Sequence, residues 1–341
     1  MKKISFIVEP CFDNNEIFGN ELNRDHSLDP FITLRNHFLS HSVQFDTQSI
    51  IKPSLADLII VLNHHEPNYI SQLRPKKILM ISECTNLLPP LNTSTYRRLF
   101  EIILTYQDDI INNTNIFGSK YSFSFPNMID RDSDRKVLSC MIAGNKRCSH
   151  PGELYSERAK IIEWFEKNHP NDFDLFGTGW NRPHKMAVPW IKRKLLYRKP
   201  LNFFFINKLN NYCGTVDKKS LTMRNYKFAF TLENASNING YITEKIFDAM
   251  FAGCVPIYDG APNIKNYIPE TCYIPFRKFK SISELHLYLR CMSEQEYHSY
   301  LESIENYIQS SQKDAFTIKE YVNSIGHQVF KLLDLPYTEL A

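Results

Sequence analysis

The sequence predicts an α/β protein of two domains, each built on a parallel sheet, and three observations carry that expectation. The chain has 341 residues, more than one hydrophobic core usually organises. Short apolar runs alternate with helical patterns, the rhythm of strand–helix units. Residues 126–136 (PNMIDRDSDRK) break that rhythm with a polar, charged stretch opening on proline, where a domain junction fits. The expected boundaries are 1–132, 133–315 and a helical tail, 316–341, that packs back on the first domain.

In the first domain, residues 4–8 form the first strand and residues 31–39, with apolar positions at 31, 34, 38 and 39, a helix. The runs 58–62, 78–81 and 102–104 are apolar and bounded by polar or proline-containing stretches, as buried parallel strands are. The second domain opens with strand 137–143, loop 144–152 and a helical pattern over 154–165. Strands 173–176, 228–232 and 255–258 follow. A helix over 244–251 stops at Gly253, a usual residue just past a helix end. Residues 283–333 read as mostly helical.

Composition narrows the function. Hydrophobic residues are 43% and charged residues 23%, the balance of a globular protein, and the net charge of +3 argues against a nucleic-acid partner. No stretch approaches the ~20 apolar residues of a membrane span, and the N-terminus lacks the pattern of a secretory signal. A cytoplasmic location is therefore expected, with eight reduced cysteines that show no zinc spacing. Residues 182–208 depart from the average. Their lysines and arginines are interleaved with aromatics, and no acidic residue occurs from 175 to 216. That mixture fits a surface meeting anionic lipid or an anionic acceptor, and equally a solvated basic face beside a packing strip.

The densest chemical signal is residues 226–260, YKFAFTLENASNINGYITEKIFDAMFAGCVPIYDG. A strand ends near Glu233 and Asn234, a polar loop follows, and a helix begins near Thr243, a good N-cap residue. Lys245 then falls in the first helical turn, where the helix dipole disfavours a cation unless it faces an anion. Helix N-termini bind phosphate through free N–H groups, so strand, loop, helix start and lysine suggest a diphosphate site at the carboxyl end of a parallel sheet.

The run F-x-x-E-N, then G-Y-I-T-E-K-I-x-D-A, then V-P-I-Y resembles the donor motif of the α-1,3/4-fucosyltransferases, glycosyltransferase family 10, of bacterial type. Its residues here are Glu233, Asn234, Gly240, Tyr241, Thr243, Glu244, Lys245, Pro256 and Tyr258. The resemblance implies a GT-B fold, in which two Rossmann-like domains face each other across a cleft. It also implies a GDP-sugar donor, inversion at the anomeric carbon, and no metal or other cofactor. Tyr241 and Lys245 match contacts to the phosphates, and Glu244 a contact to the ribose. Arg158, near the start of the helical pattern 154–165, matches an arginine that meets the donor phosphates. Glu83, in Ile81-Ser82-Glu83-Cys84-Thr85-Asn86 after the strand 78–81, matches a catalytic base. His64, His65 and Glu66, after strand 58–62, compete as base or as acceptor contacts. Asp259 stands where many members have tryptophan, which leaves the donor sugar less defined than its nucleotide.

The expected activity is transfer of fucose from GDP-fucose to a hydroxyl of a glycan, such as lipopolysaccharide or another surface glycan, at the inner face of the membrane. The alternatives are a related GDP-deoxysugar or other nucleotide-deoxysugar as donor, or an inactive sugar-nucleotide- or glycan-binding relative. A metal-dependent transferase using Asp130-x-Asp132-x-Asp134 is a weaker rival, because those letters lie in the polar junction.

Overall fold

The structure is a computed structural model that describes residues 1–131, 133–180 and 209–340. The basic stretch 182–208, with the membrane or acceptor contact expected of it, and Asp132 lie outside the described residues.

The first domain is a six-stranded sheet in the order β2-β1-β3-β4-β5-β6, every neighbouring pair parallel. Its strands are β1 (Lys2–Ile7), β2 (Val43–Thr47), β3 (Leu58–Leu62), β4 (Lys76–Ile81), β5 (Ile102–Thr105) and β6 (Ile116–Gly118). β3 reads LIIVL because both of its faces are covered. Ile60 and Leu62 join Phe6, Phe38 and Phe45 on one face, whereas Ile59 and Val61 join Leu79 and Ile81 on the other. The sequence runs did not reveal β2 or β6. Both are edge strands, and Gln44 and Asp46 interrupt the apolar character of β2.

Helix α1 (Asp29–Ser40) covers the first of those faces together with the chain's last helix, Ile318–Leu332. That helix buries Val322, Ile325, Val329 and Phe330 in the first core, so the chain ends on the domain in which it began. Thr317 opens it, accepting the N–H of Glu320 at 3.3 Å. Two short helices, α2 (Pro67–Gln72) and α3 (Ser94–Arg97), lie in the connections of this domain.

The second domain is a five-stranded parallel sheet in the order β11-β10-β9-β7-β8. It comprises β7 (Val137–Ile142), β8 (Phe173–Phe176), β9 (Tyr226–Leu232), β10 (Val255–Asp259) and β11 (Ile274–Pro275). Its helices are α4 (Tyr155–Asn168), α5 (Lys219–Met223), α6 (Glu244–Phe251), α7 (Ile282–Cys291) and α8 (Glu294–Gln309); the final helix is α9. Numbered within the domain, the strand order is 2-1-3-4-5, so the winding direction reverses between β7 and β9. A crevice opens at their carboxyl ends, where doubly wound sheets bind ligands.

Two polar contacts tie the domains across that crevice. Asp108, after β5, receives Lys120, Asn263 Nδ2 at 2.7 Å and the Tyr267 hydroxyl at 2.8 Å. Before α1, Arg24 donates to the Val216 carbonyl, and Asp25 Oδ1 accepts the Lys219 N–H at 3.1 Å. Gly240 lies at the same seam with φ +80°, and a Cβ there would overlap the Tyr106 carbonyl oxygen. That position therefore requires glycine both for its backbone angle and for the close approach of the first domain.

Candidate active site

At the switch point of the second sheet is a pocket of about 280 Å³. Gly144 and Lys146 from the loop after β7, Gly177 and Thr178 after β8, and Asn234 after β9 form part of its wall. Arg158 of α4, Lys219 of α5, and Glu244 and Lys245 of α6 close it, and Arg24 reaches it from the first domain. Five cations thus surround one small cavity, a setting suited to a polyanion. A second, more apolar cavity of about 420 Å³ lies in the cleft between the domains. Ser82, Tyr106 and Tyr121 line it from the first domain and Glu244 and Asp248 from the second.

The residues picked out from the sequence divide into those that line the pocket and those that brace it. Arg158, Asn234, Glu244 and Lys245 line it. Glu233 is fully buried behind it, with Oε1 accepting the Thr243 N–H at 2.8 Å and Oε2 accepting the Thr243 hydroxyl at 2.7 Å. Lys245 Nζ stands 3.1 Å from the same carboxylate and 3.3 Å from Glu244. The anion that makes a lysine tolerable in the first turn of α6 is therefore in part the protein's own. Thr243 occupies the N-cap position, but its hydroxyl makes no capping bond to α6. It donates to Glu233 and accepts Lys245 Nζ at 2.8 Å, because the buried carboxylate competes successfully for it.

Arg158 is 6% exposed, and its Nη2 donates to the carbonyls of Leu232 and Glu233 at 2.6 and 2.7 Å and to Asn234 Oδ1 at 3.2 Å. Arg158 has no carboxylate three or four positions away along α4, where Leu154, Tyr155, Ile161 and Ile162 stand. Its partners are instead the orphan carbonyls at the end of β9, so it fastens the strand terminus while facing the pocket. The Tyr241 ring is buried against Tyr106 of the first domain at 5.0 Å between centroids, and its hydroxyl accepts Asn234 Nδ2 at 3.3 Å. Asp259 does not shape the pocket lining directly; it pairs with Arg277 Nε at 2.7 Å.

Electrostatics keep the pocket strongly polar. Burial presses the Lys245 ammonium toward neutrality, but Glu233 and Glu244 outweigh it and raise its pKa. Burial likewise opposes the Glu244 carboxylate, yet Lys245 and Lys219 pull its pKa down to about 2. Asp248, one turn further along α6, goes the other way. Burial raises it to about 6 even though Lys219 stands 2.8 Å away, and Glu244 and Asp25 add to the rise.

The folded state thus holds a proton on Asp248 that the unfolded chain gives up earlier. The contribution of Asp248 to stability is complete below the unfolded pKa near 3.8 and is lost as pH rises through about 6. Asp248→Asn is expected to remove this slope and to gain up to about 3 kcal/mol on the parent between pH 4 and 7. Urea midpoints of parent and variant measured across that range check it, and parallel curves would contradict it.

Glu83 sits just past β4 at the edge of the cleft. Its backbone N–H and that of Ser82 both donate to Asn63 Oδ1 at 2.8 Å, which fixes the turn. The carboxylate Oε1 accepts the Cys84 N–H at 2.8 Å, and Oε2 has no hydrogen bond among the described residues. The charges of Glu83, Arg158 and Lys245 all act on the Tyr155 phenol, whose pKa is raised by burial first. Glu83 itself lines neither cavity, although its neighbour Ser82 lines the larger one. His64 packs on Tyr96 at 5.0 Å, and the His65 N–H donates to the Tyr96 hydroxyl at 2.9 Å. Burial and His64 lower the pKa of His65, and Glu66 is exposed at the start of α2. None of the three lines either cavity.

Residues 202–325 match the profile described as glycosyltransferase family 10 (fucosyltransferase), C-terminal. This segment contains β9, α6 and every second-domain pocket residue from Thr215 onward. That segment is similar to the C-terminal domain of the family 10 glycosyltransferases. An α-(1,4)-fucosyltransferase of Arabidopsis thaliana is 36% identical over 89 residues, which is 25% of this chain and 22% of that protein. The match thus spans less than a quarter of that relative's length. A solved α1,3-fucosyltransferase aligns over 98% of this chain and 91% of its own at 14% identity, with a TM-score of 0.59. An α1,3-fucosyltransferase solved with GDP-fucose aligns over 100% and 92% at 13% identity, with a TM-score of 0.52. The whole chain therefore has the GT-B fold, and the family 10 match is confined to residues 202–325 of it.

Arg24, Asn63, Lys146 and Lys219 were not legible beforehand. Lys218-Lys219 at the start of a short helix is the one local signal for Lys219; Arg24 and Asn63 acquire their places through the packing of distant segments.

Proposed function

We propose that this protein is an inverting glycosyltransferase that moves fucose, or a closely related deoxysugar, from its GDP-linked form to a hydroxyl of a glycan. The observation that carries the proposal is the pocket at the switch point, which Arg158 and Lys245 line, while Glu83 follows Ser82, a residue that lines the cleft cavity from the other domain. Glu83 takes the proton of the acceptor hydroxyl as that oxygen bonds to the anomeric carbon. The bond from that carbon to the diphosphate oxygen breaks, and GDP departs with the electron pair. Arg158 and Lys245 hold the charge that develops on the diphosphate, a role metal ions fill in other transferases, so the reaction proceeds without one. Glu244 is placed to meet the ribose. Closure of the domains excludes water and limits hydrolysis of the donor. Support for a single displacement by an activated hydroxyl is the position of the base on the domain opposite the donor.

The acceptor belongs to the same proposal: a lipopolysaccharide or other surface glycan, met in the cytoplasm at the inner face of the membrane. Among the described residues no helix is long and apolar enough to cross a membrane. Asp130 accepts the Ser133 N–H at 3.0 Å in the junction, a local role that does not favour the acidic-triplet reading.

A thermal-shift panel with GDP, UDP, CMP and dTDP, with and without chelator, tests the donor. A ligand at ~100 times its dissociation constant adds about 2.7 kcal/mol to the native state. A shift with GDP alone, unchanged by chelator, is expected, followed by transfer from GDP-fucose. A shift with UDP in place of GDP overturns the donor, and none with any nucleotide overturns the transferase reading.

A further inference from the structure

We propose that His169, Asp172 and His286 form a binding site for a divalent transition metal of the zinc type, on the side of the second domain remote from the sugar-nucleotide pocket. The three side chains each offer a ligand atom, and those atoms lie within 4.8 Å of one another. Ligands bound at 2.0–2.1 Å in a tetrahedral site stand roughly 3.3 Å apart, so side-chain rotation of the exposed His169 closes the remaining gap.

The group is built from two segments. His169 and Asp172 flank a single turn, in which the Asp172 N–H donates to the His169 carbonyl at 3.1 Å. The Asp172 carbonyl is in turn held by the hydroxyl of buried Ser139 at 2.9 Å. His286 comes from α7, and its Nε2 stands 2.8 Å from Asp172 Oδ2. The imidazoles of His169 and His286 are stacked with centroids 4.0 Å apart, and Trp164 packs against both at 5.4 Å. Arg290 Nη1 lies 3.5 Å from Asp172 Oδ1, which orients the carboxylate and leaves Oδ2 toward the histidines.

Two imidazoles and a carboxylate suit zinc, cobalt or nickel rather than calcium or magnesium, and the exposure of His169 leaves a fourth position to water. A metal ion and a proton compete for the same imidazole nitrogens, so affinity falls in acid. Asp172 precedes β8, whereas the pocket residues Gly177 and Thr178 follow it. The strand's four residues separate the two by about 13 Å. The metal therefore staples α7 to the entry of β8 and takes no part in transfer.

Cobalt(II) titrated into the chelator-treated full chain tests this. A visible ligand-field spectrum saturating at one equivalent and bleached by zinc is expected. His169→Ala, whose ring is exposed, and Asp172→Asn should each weaken cobalt binding by at least about tenfold. Zinc should raise the thermal midpoint of the parent but not of His169→Ala. The absence of a spectrum, or a spectrum that survives His169→Ala, overturns the site, and neither result bears on donor binding.

Discussion

Glu83→Gln is expected to lower the transfer rate by about 10²- to 10⁴-fold, the range of a general base, while the thermal shift given by GDP stays at the parent value. The substitution is close to isosteric, and the amide oxygen can still accept the Cys84 N–H that Oε1 now receives. The turn is held independently, because Asn63 Oδ1 takes the N–H groups of Ser82 and Glu83 and the Tyr106 hydroxyl donates to the Glu83 carbonyl at 3.1 Å. What the variant lacks is basicity at one atom. Initial rates with saturating GDP-fucose and a glycan acceptor, beside GDP melting curves, separate chemistry from binding. His65→Asn is the companion variant. Transfer retained by Glu83→Gln and lost by His65→Asn would move the base to the β3 loop, where burial and His64 lower the imidazole's pKa.

The fold was legible where burial is symmetrical and less so where it is not. β3 and β4 are sandwiched on both faces and announce themselves as unbroken apolar runs, whereas β2 alternates with Gln44 and Asp46 at the sheet edge and β6 has only three residues. The end of α6 was readable from Gly253, whose φ of +66° suits a residue just past a helix. The pocket was legible as a motif but not as a division of labour. Sequence spacing set Glu233, Thr243 and Lys245 together, yet burial decides that the glutamate braces the other two rather than meeting the donor. The resemblance singled out Arg158 but not its partners, because the carbonyls that receive it lie 74 and 75 residues away. The seam formed by Arg24, Asp25, Asp108 and Lys219 joins segments too distant in sequence for any local pattern to reveal.

The pair Glu233 and Lys245 is expected to matter for both stability and donor binding, and two variants pull these apart. Lys245→Met removes the nearest cation from a carboxylate with no solvent exposure, leaving it hydrogen-bonded by the Thr243 N–H and hydroxyl and attracted by the more distant Arg158 charge. Losing one partner of such a buried pair costs about 3–5 kcal/mol. The deficit should shrink in acid. Burial holds the Glu233 pKa above its ordinary value even with Lys245 present, so its contribution is complete at low pH and lost as pH rises through the folded pKa. In Glu233→Gln/Lys245→Met the orphaned charge is gone. The amide oxygen still accepts the Thr243 N–H, and its NH₂ can donate to the hydroxyl that Lys245 engages in the parent. Stability should return to within about 1 kcal/mol of the parent, since a neutral replacement of a buried pair is often nearly neutral in energy. GDP affinity should not return. A charge-assisted hydrogen bond of about 1.5–3 kcal/mol remains missing, which is about ten- to 150-fold in dissociation constant. Urea unfolding and calorimetric titration with GDP measure the two quantities on the same samples. Parent-like GDP binding by the double variant would remove Lys245 from the donor site, and a double variant as unstable as Lys245→Met would show that Glu233 braces α6 through more than its charge.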